Sequence, residues 1–188
     1  MPLPASKVER ELIHIRQIEC KGYERSDGLT DIDGWLTDIK TYNFPNSDRN
    51  EIKAGEPLHG MGVRITVDNA LNIIDCIAIT DHSPFKLCGN ITPNFKALVG
   101  LTITHGFTRK TQERLGGTKG CTHLVELMRS IATTAFQTLA RKQSWADTGS
   151  DTKEEDDSKK SPLIDSCHAW ARTGDAVKKR FPNFYIDK

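Results

Sequence analysis

The stretch Gly120-Cys121-Thr122-His123-Leu124 sets a thiol and an imidazole two residues apart at the start of a helical pattern. Free helix amides lower a thiol pKa there, and a nearby imidazole can take its proton. Upstream, His59, Asp81, His82 and Cys88 widen the chemistry open to that pair. His59, Cys88, Cys121 and His123 carry the nitrogen and sulfur donors that Zn or Fe(II) accepts, and Asp81 could add an oxygen. Three such ligands with one open position would polarise a carbonyl or stabilise an alkoxide. Without a metal, Cys121 is a candidate nucleophile activated by His123 or His59, with Asp81 or His82 as general acid or base. Free cysteines are also common core fillers, and that reading stands beside the functional one at Cys88 and Cys121.

Groups that could hold a substrate are Tyr23, Arg25, Arg64 and Arg114, since a guanidinium fork matches a carboxylate. The series Tyr23, Arg25, Asp27, Asp31, Asp33, Asp38 and Lys40 reads first as a solvated sheet face with cross-strand pairs, and second as a substrate-binding edge. Gly116-Gly117-x-x-Gly120 precedes a helix but lacks the strand context and Lys-Ser/Thr of a nucleotide loop, so no nucleotide or organic cofactor is expected. His14, flanked by isoleucines, reads as a satisfied structural histidine.

The elements that must position these groups follow from periodicity. Ile13 to Cys20 and Leu29 to Ile39 read as strands, the second with a bulge or turn at Asp33-Gly34. Residues 41–57 read as a polar loop. Val63, Ile65 and Val67 alternate with polar residues and turn at Asp68-Asn69-Ala70 into an apolar strand over 72–80. Pro84 and Pro93 bracket a loop holding Cys88, and short helices are expected near 94–99, 109–115 and 165–172. The long helix spans about 122–141, with Leu124, Val125, Met128, Ile131, Ala135 and Leu139 on one face.

The expected organisation is an N-terminal arm over 1–10, one α+β domain over 11–143, a charged disordered linker over 144–162 and a C-terminal segment over 163–188. The aromatic end, Phe181 to Ile186, would dock on the domain or on a neighbouring subunit, which suits a homodimer. A formal charge of +1 gives no broad footprint for nucleic acid or an anionic membrane. Five widely spaced cysteines argue against a disulfide framework, and the N-terminus lacks an apolar signal core, so a cytoplasmic protein is expected.

The strings GYERSDGLTDIDGWLTDIKTYNF, GEPLHGM, TDHSPFKLC and LGGTKGCTHLVEL together resemble a bacterial family catalogued as a domain of unknown function, family 2889, over roughly residues 10 to 140. The motif order also resembles that of NifU/IscU-type iron–sulfur scaffold proteins. That resemblance sets His59 where those proteins have their first cysteine, Met61 where they have an aspartate, Cys88 roughly at the second cysteine and Cys121 at the third. It implies a curved antiparallel sheet, with an N-terminal strand extension, packed against one long C-terminal helix in a NifU/SufE-like core. The function expected is a small-molecule catabolic enzyme, a lyase that releases a small aldehyde from an oxygenated aromatic compound by retro-aldol cleavage. The substrate class follows the kind of family resembled. The rivals are a metal or iron–sulfur carrier and a ligand-binding or assembly module.

Overall fold

A computed structural model describes residues 3–140, 161 and 163–187. They fall into two compact units, Met1–Leu139 and Ala140–Lys188. The larger unit is built on a four-stranded antiparallel sheet in the order β1-β2-β5-β6. Its strands are β1 (His14–Glu24), β2 (Thr30–Lys40), β5 (Pro57–Val67) and β6 (Ile73–His82). Between β2 and β5, β3 (Phe44–Asn46) and β4 (Asn50–Ile52) pair with each other alone. After β6 come a 3-10 segment (Lys86–Leu98), α1 (Phe107–Leu115) and the long α2 (Thr122–Ala140); α3 (Asp175–Arg180) lies in the smaller unit.

One face of the sheet is built for α2. Along β2 burial alternates without a break: Ile32, Gly34, Leu36 and Asp38 are buried, whereas Asp31, Asp33, Trp35 and Thr37 are partly exposed. Met61, Val63, Ile65 and Val67 of β5 join Ile32 and Leu36 in a core completed by Leu124, Leu127, Met128, Ile131, Ala135 and Leu139 of α2. The helix lies close enough to the strands that a Cβ on Gly34 would come within 2.6 Å of Ile131 Cδ1, and one on Gly22 within 2.0 Å of Thr138 Oγ1. At these two positions glycine lets a helix side chain rest on the strand backbone.

Several elements differ from the sequence expectation. The polar stretch 41–57 contains the β3–β4 hairpin, whose turn is organised by Asn46: its Oδ1 accepts the amides of Asp48 and Arg49. No bulge interrupts β2 at Asp33-Gly34; the register shift lies at Asp38/Ile39 instead. The loop expected around Cys88 is the 3-10 segment, which absorbs Pro93 and buries Phe95 and Leu98. α2 runs through Ala140, where this stretch of described residues ends, α1 forms close to the span expected at 109–115, and α3 lies where no helix is expected. Of the helix expected over 165–172 only the 3-10 turn His168–Trp170 forms. In the smaller unit Trp170, Phe184 and Tyr185 pack on Ile164, Val177 and Phe181, so part of the aromatic surface expected to dock on the domain or on a neighbouring subunit is used within that unit. Of the charged linker expected over 144–162, only Ser161 lies among the described residues. No helix among the described residues is long and apolar enough to cross a membrane.

The Gly34–Ile131 contact gives a direct test of how the helix is seated. Gly34→Ala should cost about 1–3 kcal/mol of stability by overpacking, read as a lower urea midpoint at unchanged slope. An Ile131→Val background should recover part of that loss by opening room for the new methyl.

Candidate functional site

The antiparallel register places Arg16 of β1 opposite Asp38 of β2, and Asp38 opposite His59 of β5, so three strands contribute one row on the face that α2 covers. The shift in pairing just after Asp38 marks a bulge at the end of that row, the kind of irregularity that re-aims side chains near functional sites. Asp38 is 1% exposed. Its Oδ1 accepts His14 Nε2 at 3.0 Å and Arg16 Nε at 2.8 Å, and its Oδ2 accepts Arg16 Nη2 at 2.8 Å. His59 Nδ1 lies 2.9 Å from the same Oδ2. The third nitrogen of the Arg16 fork, Nη1, donates to Glu126 Oε2 of α2 at 2.6 Å, tying strand row to helix.

The first turn of α2 brings His123 over this row. Its ring lies 3.8 Å from that of His59, centroid to centroid, tilted by 33°. Its Nε2 is 3.9 Å from Asp38 Oδ2, and its Nδ1 is 4.0 Å from Cys121 Sγ. Cys121 occupies the capping position: Val125 N–H donates to its carbonyl, and its sulfur accepts the amides of Leu124 and His123. The Cys121 thiol in turn points at Met61 Sδ, 3.9 Å away.

Charge within the row is set by competition between burial and pairing. Burial opposes the charge on Asp38, but the hydrogen bonds and charge of Arg16, with smaller help from His59, hold its carboxyl down at about 2. Burial pushes His59 below its ordinary value, and a charge on His123 would push it the same way; the bond to Asp38 only partly opposes them. Burial works against the Cys121 thiolate too, yet the hydrogen bonds from His123 and from the Leu124 and His123 amides bring the thiol below its ordinary value.

Of the groups singled out from the sequence, His59, His123 and Cys121 therefore come together. Cys88 does not join them: it stands in the 3-10 segment beyond β6. Among the described residues, the one group of three or more His, Cys, Asp or Glu side chains with donor atoms close enough for a metal is Asp38, His59 and His123. His82 pairs with Gly60, and its Nδ1 lies 2.9 Å from the position a Gly60 Cβ would take, on the sheet face opposite His59. Asp81 falls at the pairing shift beside it and is exposed. Arg25 is held by Asp27 and Asp31, Arg64 forks onto Asp33 at 2.6 Å through both nitrogens, and Arg114 donates to the carbonyls of Ala97 and Val99. Tyr23 and Arg64 line a cleft of about 450 Å³ on the outer face, together with Asp33, Trp35, Ile77 and Ile79. Asp38, Arg16 and Met61 are not among the site residues expected from the sequence; the signal for Asp38 is its place in the buried phase of β2, level with Ile32 and Leu36.

The Asp38, His59 and His123 atoms are near enough for a metal, but their arrangement does not suit a shared ion. Asp38 already accepts four hydrogen bonds, which fills the lone-pair positions of a carboxylate. Imidazole lone pairs lie in the ring plane. Two rings 3.8 Å apart and tilted by 33° have planes that meet well beyond the roughly 2.0–2.1 Å reach of a metal–nitrogen bond. A Zn or Fe(II) held by both would require one ring to turn. The arrangement suits proton transfer instead: His59 donates its Nδ1 proton to Asp38, which leaves Nε2 with a lone pair.

The chain belongs to the family described as "Protein of unknown function (DUF2889)", whose model matches residues 14–137 and so takes in the whole row and most of α2. No curated protein and no solved structure matches the chain, so the likeness to iron–sulfur scaffolds rests on motif order alone.

The electrostatics of the row set a pH dependence. For both Asp38 and His59 the folded pKa lies below the ordinary value, so the unfolded chain binds the proton more readily and stability falls as pH falls. The His59 contribution is complete above about 6.5 and declines below it; that of Asp38 is complete above about 3.8 and is lost as pH drops toward 2. At roughly 1.4 kcal/mol per unit, Asp38 contributes on the order of 2 kcal/mol at neutral pH. Urea unfolding from pH 3 to 8 should show both limbs. His59→Gln should flatten the upper limb and leave the lower one.

Proposed function

We propose that this chain is a small-molecule lyase in which His59 and His123 move protons during carbon–carbon cleavage. The observation that carries this reading is the His59 Nδ1–Asp38 contact at 2.9 Å, which fixes the ring's orientation and tautomer with a buried carboxylate. His59, held below its ordinary pKa, is neutral at physiological pH and can act as a base. Its Nε2 takes the proton of a substrate hydroxyl. The carbinol carbon becomes the carbonyl of a released aldehyde, the carbon–carbon bond breaks, and its electron pair passes to the neighbouring carbon. His123, bracketed by Cys121 and Asp38, returns a proton to that carbon. Asp38 acts through the imidazoles as a positioning residue. Thr80 Oγ1 is buried without a hydrogen-bond partner opposite Met61, on the same face, and could hold a substrate oxygen. In this reading the substrate is an oxygenated aromatic compound with a hydroxyl-bearing side chain, no organic cofactor is needed, and the work is done in the cytoplasm.

A second reading, a ligand-binding module, draws on the outer cleft. There Trp35 lies over Gly62 beside Ile77, Ile79, Tyr23 and the Arg64–Asp33 pair. The carrier reading has less behind it, because Cys121 is the one thiol beside the imidazole pair whereas the scaffold pattern asks for three.

Aldehyde release from a panel of aryl compounds with β-hydroxy side chains tests the lyase. Turnover by the wild type should fall about 10²–10⁴-fold in His59→Gln and in His123→Gln, with unchanged circular dichroism. Asp38→Asn should lose kcat more than KM and shift the acid limb of the pH–rate profile. Full activity in His59→Gln would overturn the assignment.

A further inference from the structure

Cys121 and Met61 bring two sulfurs of different kinds to one point. Met61 is 1% exposed and fixed on β5, while Cys121 is fixed at the head of α2, so their 3.9 Å separation is set by the packing of helix on sheet. His123 turns Nδ1 toward the same thiol from 4.0 Å. We infer that Cys121, Met61 and His123 Nδ1 form a binding site for a single copper(I) ion.

The donor chemistry selects the ion. A thiolate and a thioether are soft ligands, and a thioether in particular favours Cu(I) over Zn or Fe(II), which prefer nitrogen, oxygen and thiolate. The spacing agrees with this. With metal–sulfur bonds of roughly 2.3 Å and a metal–nitrogen bond of roughly 2.0–2.1 Å, trigonal geometry requires sulfurs about 4.0 Å apart and a sulfur–nitrogen distance of about 3.8 Å. The two separations that involve Cys121 Sγ, to Met61 Sδ and to His123 Nδ1, are 3.9 and 4.0 Å. The ion uses the lone pair of one imidazole only, so the stacked rings, which could not share an ion, place no obstacle here. Cys121 and His123 are both partly exposed, which leaves a route from solvent, and the Leu124 and His123 amides already favour the thiolate that binding requires. Glu126 and Asp38 are both engaged by Arg16, so neither competes as a hard ligand. If His123 also transfers protons as proposed above, copper(I) would inhibit turnover; binding itself does not depend on that reading.

The test is an anaerobic titration of the full chain with copper(I), supplied as its acetonitrile complex, against the chromogenic chelator bicinchoninate. The wild type should withhold one equivalent from the chelator. A variant with Cys20, Cys76, Cys88 and Cys167 all replaced by alanine should still withhold one. Cys121→Ser should lose the equivalent, and Met61→Leu, which preserves core volume, should weaken binding about tenfold. X-ray absorption of the loaded wild type should show two sulfur neighbours and one nitrogen. Loss of binding in the four-cysteine variant with its circular dichroism intact, or an unchanged equivalent in Cys121→Ser, would overturn the site. Neither result bears on aldehyde release, which is measured without copper.

Discussion

A carboxylate with 1% exposure governs this molecule. Taking an ionised carboxylate out of water costs several kcal/mol, which only close opposite charge and a full set of hydrogen bonds can offset. Asp38 obtains both from separate parts of the chain: the Arg16 fork and His14 on one side strand, His59 on the other. Each of these partners reaches Asp38 only in one strand register. A slip of one residue between β1 and β2 would turn Arg16 outward and leave Asp38 buried and uncompensated. The row therefore specifies the alignment of β1, β2 and β5, and through Arg16–Glu126 it also fixes the position of α2 along the sheet.

The same saturation decides what Asp38 does. With four donors on two oxygens it has no lone pair to offer a substrate or a metal, so its influence passes through the groups it holds. His59 is the group most strictly held, because its Nδ1 is engaged and its ring is buried. His123 is less so, at 3.9 Å from the carboxylate, and it belongs to a helix whose first turn also carries Cys121. Two imidazoles at stacking distance cannot both hold a proton cheaply. A charge on one lowers the proton affinity of the other, which is the coupling a base and its complementary acid require.

How far the sequence revealed this can be argued residue by residue. The Cys121–His123 spacing and the apolar stripe from Leu124 to Leu139 announced both the helix and the thiol at its head. Residue type and motif order point to His59, and it does meet His123. Asp38 is hidden among Arg25, Asp27, Asp31, Asp33 and Lys40, which as a series read as one solvated face. The alternation separates them: Asp31 and Asp33 share the phase of Trp35, whereas Asp38 shares that of Ile32, Gly34 and Leu36. Cys88 and His82 stand out in the sequence by their types near a loop. Their places depend on a 3-10 segment that absorbs Pro93 and on a pairing shift at Gly60/Met61, neither of which leaves a mark in the local pattern.

The alternation also bears on how the candidate residues can be combined. His59 and Met61 project toward α2, while the residues between and beyond them, Gly60, Gly62 and Arg64, face the other way with Trp35 and Asp33. A small molecule seated against Tyr23 and Arg64 has the β2–β5 backbone between it and the imidazole pair, and no rotamer of His59 crosses a hydrogen-bonded sheet. The outer cleft and the Asp38 row thus cannot serve as binding and reacting halves of one compact active site. A ligand that contacts Trp35 is either the cargo of a binding module or a remote effector, and one that reacts must enter along the first turn of α2, past Cys121 and His123. Which sheet face holds the aromatic ring of a bound compound therefore discriminates between the lyase and the binding module before any rate is measured.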